Sequence, residues 1–134
     1  MSYQYLLDTN IISDLVKHPQ GLVFQKIVTI GEDNICTSII VACELRFGAA
    51  KSGSPRLVEQ LGYILNMLPI LPLEPPVEQH YAVIRKELEQ AGTPIGPNDL
   101  LIAAHALSLN LTLVTANIRE FQRVPTLRVE NWLH

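Results

Sequence analysis

Short apolar runs and helix-length segments alternate along the whole chain, and this alternation constrains the fold more than any other feature. The runs fall at residues 3–7, 34–37, 69–73, 111–115 and 127–129. Each is bounded by turn or helix-starting residues and is too short for a helix, so each reads as a strand. The segments between them carry helix punctuation. Asp8-Thr9-Asn10 opens a helix over 11–17, and a second covers 22–30 and ends at Gly31. Ser38 caps a helix to about residue 50, and Ser54-Pro55 starts another to about 67. A long helix over 76–91 has an outer face of Arg85, Lys86, Glu87 and Glu89, and Gly96-Pro97 opens the next. A short helical turn follows at 119–121. Crossovers of helix length require parallel strands, so the expected fold is an α/β sandwich. Its mostly parallel sheet has about five short strands between helices. Pro69 and Pro72 place the third strand at an edge.

A chain of 134 residues suits one domain, expected to span 1–134. Apolar content of 48% and charged content of 17% describe a globular chain, not a disordered one. No apolar run spans a bilayer and no basic-plus-apolar leader opens the sequence, so a cytoplasmic protein with no membrane contact is expected. Cys36 and Cys43, seven residues apart, read as small core residues, and with four scattered His they offer no zinc spacing. A net charge of −3 does not announce a nucleic-acid binder.

The chemistry lies in acids placed where acids are costly. In open parallel sheets ligands sit outside the carboxyl ends of the strands, and Asp8 follows the first strand. Asp99 falls in the first turn of its helix and heads a stripe of Ile102, Ala103 and Ala106. Glu44 interrupts the stripe Ile40, Val41, Phe47, Gly48, which places it facing the core unless a tilted helix or a partner such as Arg46 or Arg85 rescues it. Asn117 and Glu120 follow the strand that ends at Thr115. Taken singly, these are a capping Asp, a paired Glu, a helix-end Asp and turn residues. Together they converge on one edge of one sheet, where like charges at about 4 Å repel by roughly 4 kcal/mol per pair. Such a cluster calls for a cation, and hard oxygen donors without His or Cys select Mg²⁺ or Mn²⁺. Setting those four acids aside leaves nine acids against ten bases (13 minus 4, against 10), which no longer opposes an anionic substrate.

With these residues in view the chain resembles the PIN-domain nucleases, and among them the VapC-type toxins of toxin–antitoxin pairs. The matching segments are residues 6–10 (LLDTN), 44–52 (ELRFGAAKS), 95–106 (IGPNDLLIAAHA) and 112–132 (TLVTANIREFQRVPTLRVENW). The resemblance implies a PIN-like three-layer sandwich and a metal-dependent endoribonuclease with Asp8, Glu44 and Asp99 on Mg²⁺ or Mn²⁺. The fourth family acid corresponds to Asn117, so Glu120 is the natural substitute, with Asn117, Thr9, Asn10 and Thr115 in support. The resemblance further implies tRNA as substrate, with initiator tRNA and its anticodon loop as the first choice. It also implies a homodimer or a larger toxin–antitoxin assembly, and a VapB-type antitoxin that brings a cationic residue to the acids. Lys51 and Arg119, with Arg56 and Arg123, are the basic residues placed to meet RNA.

Two other classes compete. An aspartyl-phosphate hydrolase of the doubly wound kind expects a second Asp where Asn10 stands, and a phospho-receiver expects a Lys after a late strand, where none follows Thr115. Neither gives Glu44 a role. A non-catalytic module of the same fold is distinguished by failure to cleave RNA with metal.

Overall fold

The structure is a computed structural model that describes residues 3–133. In chain order the elements are β1 (Tyr5–Leu7), α1 (Thr9–Lys17), α2 (Leu22–Ile30), one turn of 3-10 helix (Glu32–Asn34), β2 (Ile35–Ser38), α3 (Ile39–Ser52) and α4 (Pro55–Met67). Then follow β3 (Ile70–Leu71), α5 (Val77–Gln90), α6 (Pro97–Ser108), β4 (Thr112–Val114), α7 (Ile118–Phe121) and β5 (Val129–Glu130).

All the strands pair in parallel in one sheet of order β3-β2-β1-β4-β5, with proline-flanked β3 at an edge as expected. Leu6 and Leu7 point to opposite faces of β1 and are both fully buried, so both faces of the sheet are covered. The register aligns Tyr5 with Ile35 and Thr112, and Leu7 with Thr37 and Val114, so the strand carboxyl ends finish at one rim. From β1 the chain winds outward through β2 and β3, then crosses to β4 and β5. The winding therefore reverses between β1 and β4, and a crevice opens at such a switch point.

Local chemistry sets the helix starts. The Ile40 N–H donates to Ser38 Oγ at 3.1 Å, and the Leu57 N–H to Ser54 Oγ at 3.2 Å. Gly53 ends α3 with φ of 69°, a left-handed turn that suits glycine. Helix α1 begins two residues before the expected position, because Asp8 itself is the cap.

Two expectations for α3 fail together. Its buried residues are Val41, Ala42, Leu45 and Ala49, so the core-facing stripe is rotated from the one read in the sequence. At about 100° per residue, Glu44 therefore sits at the border of the buried face and not on it. Phe47 is 67% exposed and misled the reading. Cys43, expected in the core beside buried Cys36, is exposed for the same reason.

Candidate active site

Asp8 stands at the carboxyl end of β1, with 2% of its surface exposed. Its N–H extends the ladder to the Val114 carbonyl at 2.9 Å, which fixes the residue directly at the switch point. The carboxylate accepts the Thr9 N–H at 2.8 Å on Oδ1 and the Thr115 hydroxyl at 2.8 Å on Oδ2. The Asn10 amide adds a longer contact of 3.4 Å to Oδ2. Thr115 Oγ1 in turn accepts the Asn117 N–H at 3.0 Å, and Asn10 Oδ1 accepts the Ala116 N–H at 2.8 Å. A clamp thus joins the ends of β1 and β4, and it occupies Asn10 in full view of the crevice. Burial raises the Asp8 carboxyl above its ordinary range, although these donors pull the other way.

Glu44 approaches from α3. Its Oε2 accepts the Asn98 amide at 3.3 Å. Its Oε1 is buried and has no hydrogen-bond partner. Burial raises its carboxyl, and the charge of Asp8 adds to the rise against the Asn98 bond. Neither suggested arginine neutralises it: Arg85 pairs with Glu89 at 2.9 Å, and no ion pair to Arg46 occurs among the described residues.

Asp99 occupies the first turn of α6, whose N-cap, Gly96, has no side chain to offer. The cap comes from elsewhere in the chain. Glu120 on α7 accepts the Gly96 N–H at 3.1 Å with Oε1 and the Asn117 amide at 2.8 Å with Oε2. Burial raises the Asp99 carboxyl to about 7, helped by a hydrogen bond to Glu120 and by the charges of Glu120, Asp8 and Glu44. Burial also acts on Glu120, but the bonds from Asp99, Asn117 and Gly96 and the charge of Arg123 outweigh it and hold that carboxyl below its ordinary range. The Asp99–Glu120 pair therefore shares a proton near neutrality.

Asp99 feels the charges of Glu120, Asp8 and Glu44, and Glu44 feels that of Asp8. No three His, Cys, Asp or Glu side chains among the described residues close into a ready-made ligand cage. The site is a rim of carboxyls at the carboxyl end of β1 and on α3, α6 and α7, three of them pushed toward protonation. The PIN domain family model matches residues 5–127. The chain belongs to the PIN domain family.

The similarity extends to individual members. The PIN domain is 42% identical to ribonuclease VapC2 of Rickettsia felis over 131 residues, covering 96% of this chain and 97% of that protein. It is 35% identical to the tRNA(fMet)-specific endonuclease VapC of Salmonella typhimurium over 130 residues, covering 96% and 98%. The crystal structure of VapBC2 from Rickettsia felis bound to a promoter DNA fragment superimposes with a TM-score of 0.89 at 39% identity, covering 96% of this chain and 98% of that one.

The remaining expected residues fall around the rim. Arg119 is exposed on α7 beside Glu120, and Arg123 donates to the Pro94 carbonyl at 3.2 Å. Lys51 is exposed, seven positions past Glu44 and so about 10 Å farther along α3. Asn98 was missed, since an Asn at a helix start reads as a helix-end residue and not as the partner of a distant Glu. The Thr115 clamp gives a first prediction. Thr115→Val keeps the shape but deprives Asp8 Oδ2 of its shortest donor, so the Asp8 carboxyl rises further and the PIN domain loses about 1–3 kcal/mol of stability. Urea denaturation at neutral pH measures the loss.

Proposed function

We propose that this PIN domain is a metal-dependent endoribonuclease, the toxin of a toxin–antitoxin pair, with tRNA as its substrate. The carrying observation is Glu44 Oε1, a buried carboxylate oxygen without a partner, on a side chain close enough to feel the charge of Asp8 and to raise the carboxyl of Asp99. A buried oxygen of this kind costs free energy unless a cation or donor meets it. An all-oxygen set fits Mg²⁺ or Mn²⁺. Asp8, Glu44 and Asp99 would hold the ion, and Glu120 would complete the set from its place at the α6 N-terminus. Held there, such an ion would supply positive charge toward the phosphodiester and would make water a better nucleophile at neutral pH.

The chain's own residues do the rest. The Thr9, Asn10 and Thr115 donors orient Asp8 so that its position does not depend on the ion. Asn117 and the Gly96 N–H aim Glu120. A cleft of about 370 Å³, lined by Thr9, Ser13, Lys17 and Glu44 and by an apolar wall of Leu45, Leu57 and Leu61, reaches the site at Glu44. Lys51 and Arg119 stand on the exposed surface where phosphates would pass.

The named activity of the Salmonella relative supports tRNA, and initiator tRNA first. The VapBC complexes among the structural neighbours support a VapB-type antitoxin as partner. A cationic residue brought to the acids and a homodimer or larger assembly are further parts of the proposal. No helix among the described residues is long and apolar enough to cross a membrane, which accords with a cytoplasmic role.

Purified protein and transcribed tRNA test the proposal. Cleavage is expected at a defined position with Mg²⁺ or Mn²⁺, none in chelator, and recovery when Mn²⁺ is returned. Undiminished cleavage in chelator would sink the metal-dependent reading.

A further inference from the structure

One buried polar side chain has no part in that chemistry. His105 lies in α6 with 1% exposure, among Ile102, Ala103, Ala104 and Ala106, which are wholly buried. An imidazole in such a layer is costly unless its polar atoms are used. Its Nδ1 lies 2.8 Å from Oγ of Ser38, itself fully buried. Ser38 Oγ already accepts the Ile40 N–H, so its own proton is free for Nδ1. The ring proton then sits on Nε2, on the side where the Pro72 carbonyl contacts the ring.

The position of this bond is informative. Ser38 is the residue from which α3 starts, and Glu44 follows it by six positions. Asp99 precedes His105 by six positions on α6. One end of the helix pair is joined by Ser38 and His105, the other by Glu44 and Asn98 at 3.3 Å. The two contacts run in opposite chain directions, so α3 and α6 lie antiparallel here. Six residues of helix span about 9 Å on each side. The outer contact is exposed and water competes for it. The inner one is sealed. A slip of α6 by one residue would move Asp99 by about 1.5 Å and turn it by about 100°.

We propose that the buried Ser38–His105 hydrogen bond sets the register of α3 against α6, and thereby the spacing of Glu44 and Asp99 across the site. Both are positioning residues, and the proposal rests on the metal-dependent nuclease reading. Satisfied buried polar pairs specify one arrangement of packed elements where apolar contacts alone accept several. The alternative is a role in folding alone.

The test uses the full chain and reads metal binding apart from activity. The melting temperature is followed against Mn²⁺ for wild type, Ser38→Ala, His105→Leu and His105→Asn, and kcat and KM are measured on tRNA. Leu removes the acceptor, whereas the Asn Oδ1 reaches the place of Nδ1. In Ser38→Ala and His105→Leu the half-saturating Mn²⁺ concentration is expected to rise by on the order of tenfold or more. Their kcat falls and KM stays, while His105→Asn remains near wild type. Lower melting temperatures with unchanged Mn²⁺ dependence and kcat would overturn the proposal and leave the nuclease reading standing. So would a His105→Asn protein that matches His105→Leu in Mn²⁺ binding. If His105→Leu does not fold, the milder Ser38→Ala decides. A wild type that neither responds to Mn²⁺ nor cleaves RNA overturns both.

Discussion

Asp99→Asn is expected to cut RNA cleavage by orders of magnitude and raise the melting temperature of the metal-free protein. Burial first, and then the hydrogen bond and charge of Glu120 and the charges of Asp8 and Glu44, lift the Asp99 carboxyl from 3.8 to about 7. The folded state therefore holds this proton more tightly than the unfolded chain. The contribution of Asp99 to the stability of the metal-free wild type is fully present below about pH 4, is lost as pH rises, and is gone above about pH 7. Asn cannot ionise, and its amide N–H takes the place of the shared proton toward Glu120. With the discount that solvent screening imposes on a half-exposed group, the relief above pH 7 is about 1–2 kcal/mol, or roughly 3–8 °C. The variant's stability should also be flatter between pH 4 and 7. Cleavage moves in the opposite direction. Loss of one ligand charge should lower kcat by on the order of 10²–10³-fold, as for removal of a preorganised electrostatic group. Mn²⁺ should stabilise the variant less than wild type. Thermal melts across pH and a cleavage assay on the same preparation check both halves. Wild-type specific activity in a folded variant would falsify the catalytic role of Asp99.

Phe121→Ala is expected to have the largest effect on stability. Helix α7 has only four residues, too few to persist on backbone hydrogen bonds alone. Phe121 is its one buried residue, wholly enclosed and the largest of the fully buried side chains among the described residues. Truncation leaves a cavity and forfeits the transfer free energy, about 3–5 kcal/mol together. That is a large share of the margin of an ordinary domain. Glu120 precedes Phe121 directly, so the cap on α6 should loosen with it. In urea the midpoint should fall while the slope holds. A loss below about 1 kcal/mol would mean that α7 is not anchored by this ring.

The sequence was most legible where local rules and tertiary packing agree. Ser38, Ser54 and Pro55 start helices where capping chemistry says they should, and α2 and α4 occupy the expected residues. The prolines around β3 mark an edge. Asp8 is legible because a strand end in a parallel sheet has few alternatives. The face of α3 that carries Glu44 was not legible. The apolar Phe47 drew the stripe outward, and only packing against neighbours fixes the rotation of a helix that is apolar nearly all round. The cap on Gly96 was not legible, because its donor and acceptor are 24 residues apart and join only when α7 folds back. Asn98 and His105 were illegible for the same reason: each is explained by a partner on another element.

The clamp between β1 and β4 also bears on when a molecule of this kind becomes active during its own synthesis. Asp8 is made near the beginning, but the hydroxyl that orients it belongs to a residue 107 positions later. The central strand likewise gains its β4 neighbour only when that late segment has emerged. A growing chain that stops before Thr115 lacks both the hydroxyl that orients Asp8 and the Glu120 carboxylate beside Asp99. The long-range closure concentrates assembly of the site into a late step. On the proposed function, the hydroxyl that orients Asp8 and the carboxylate that caps Gly96 both arrive with the final quarter of the polypeptide.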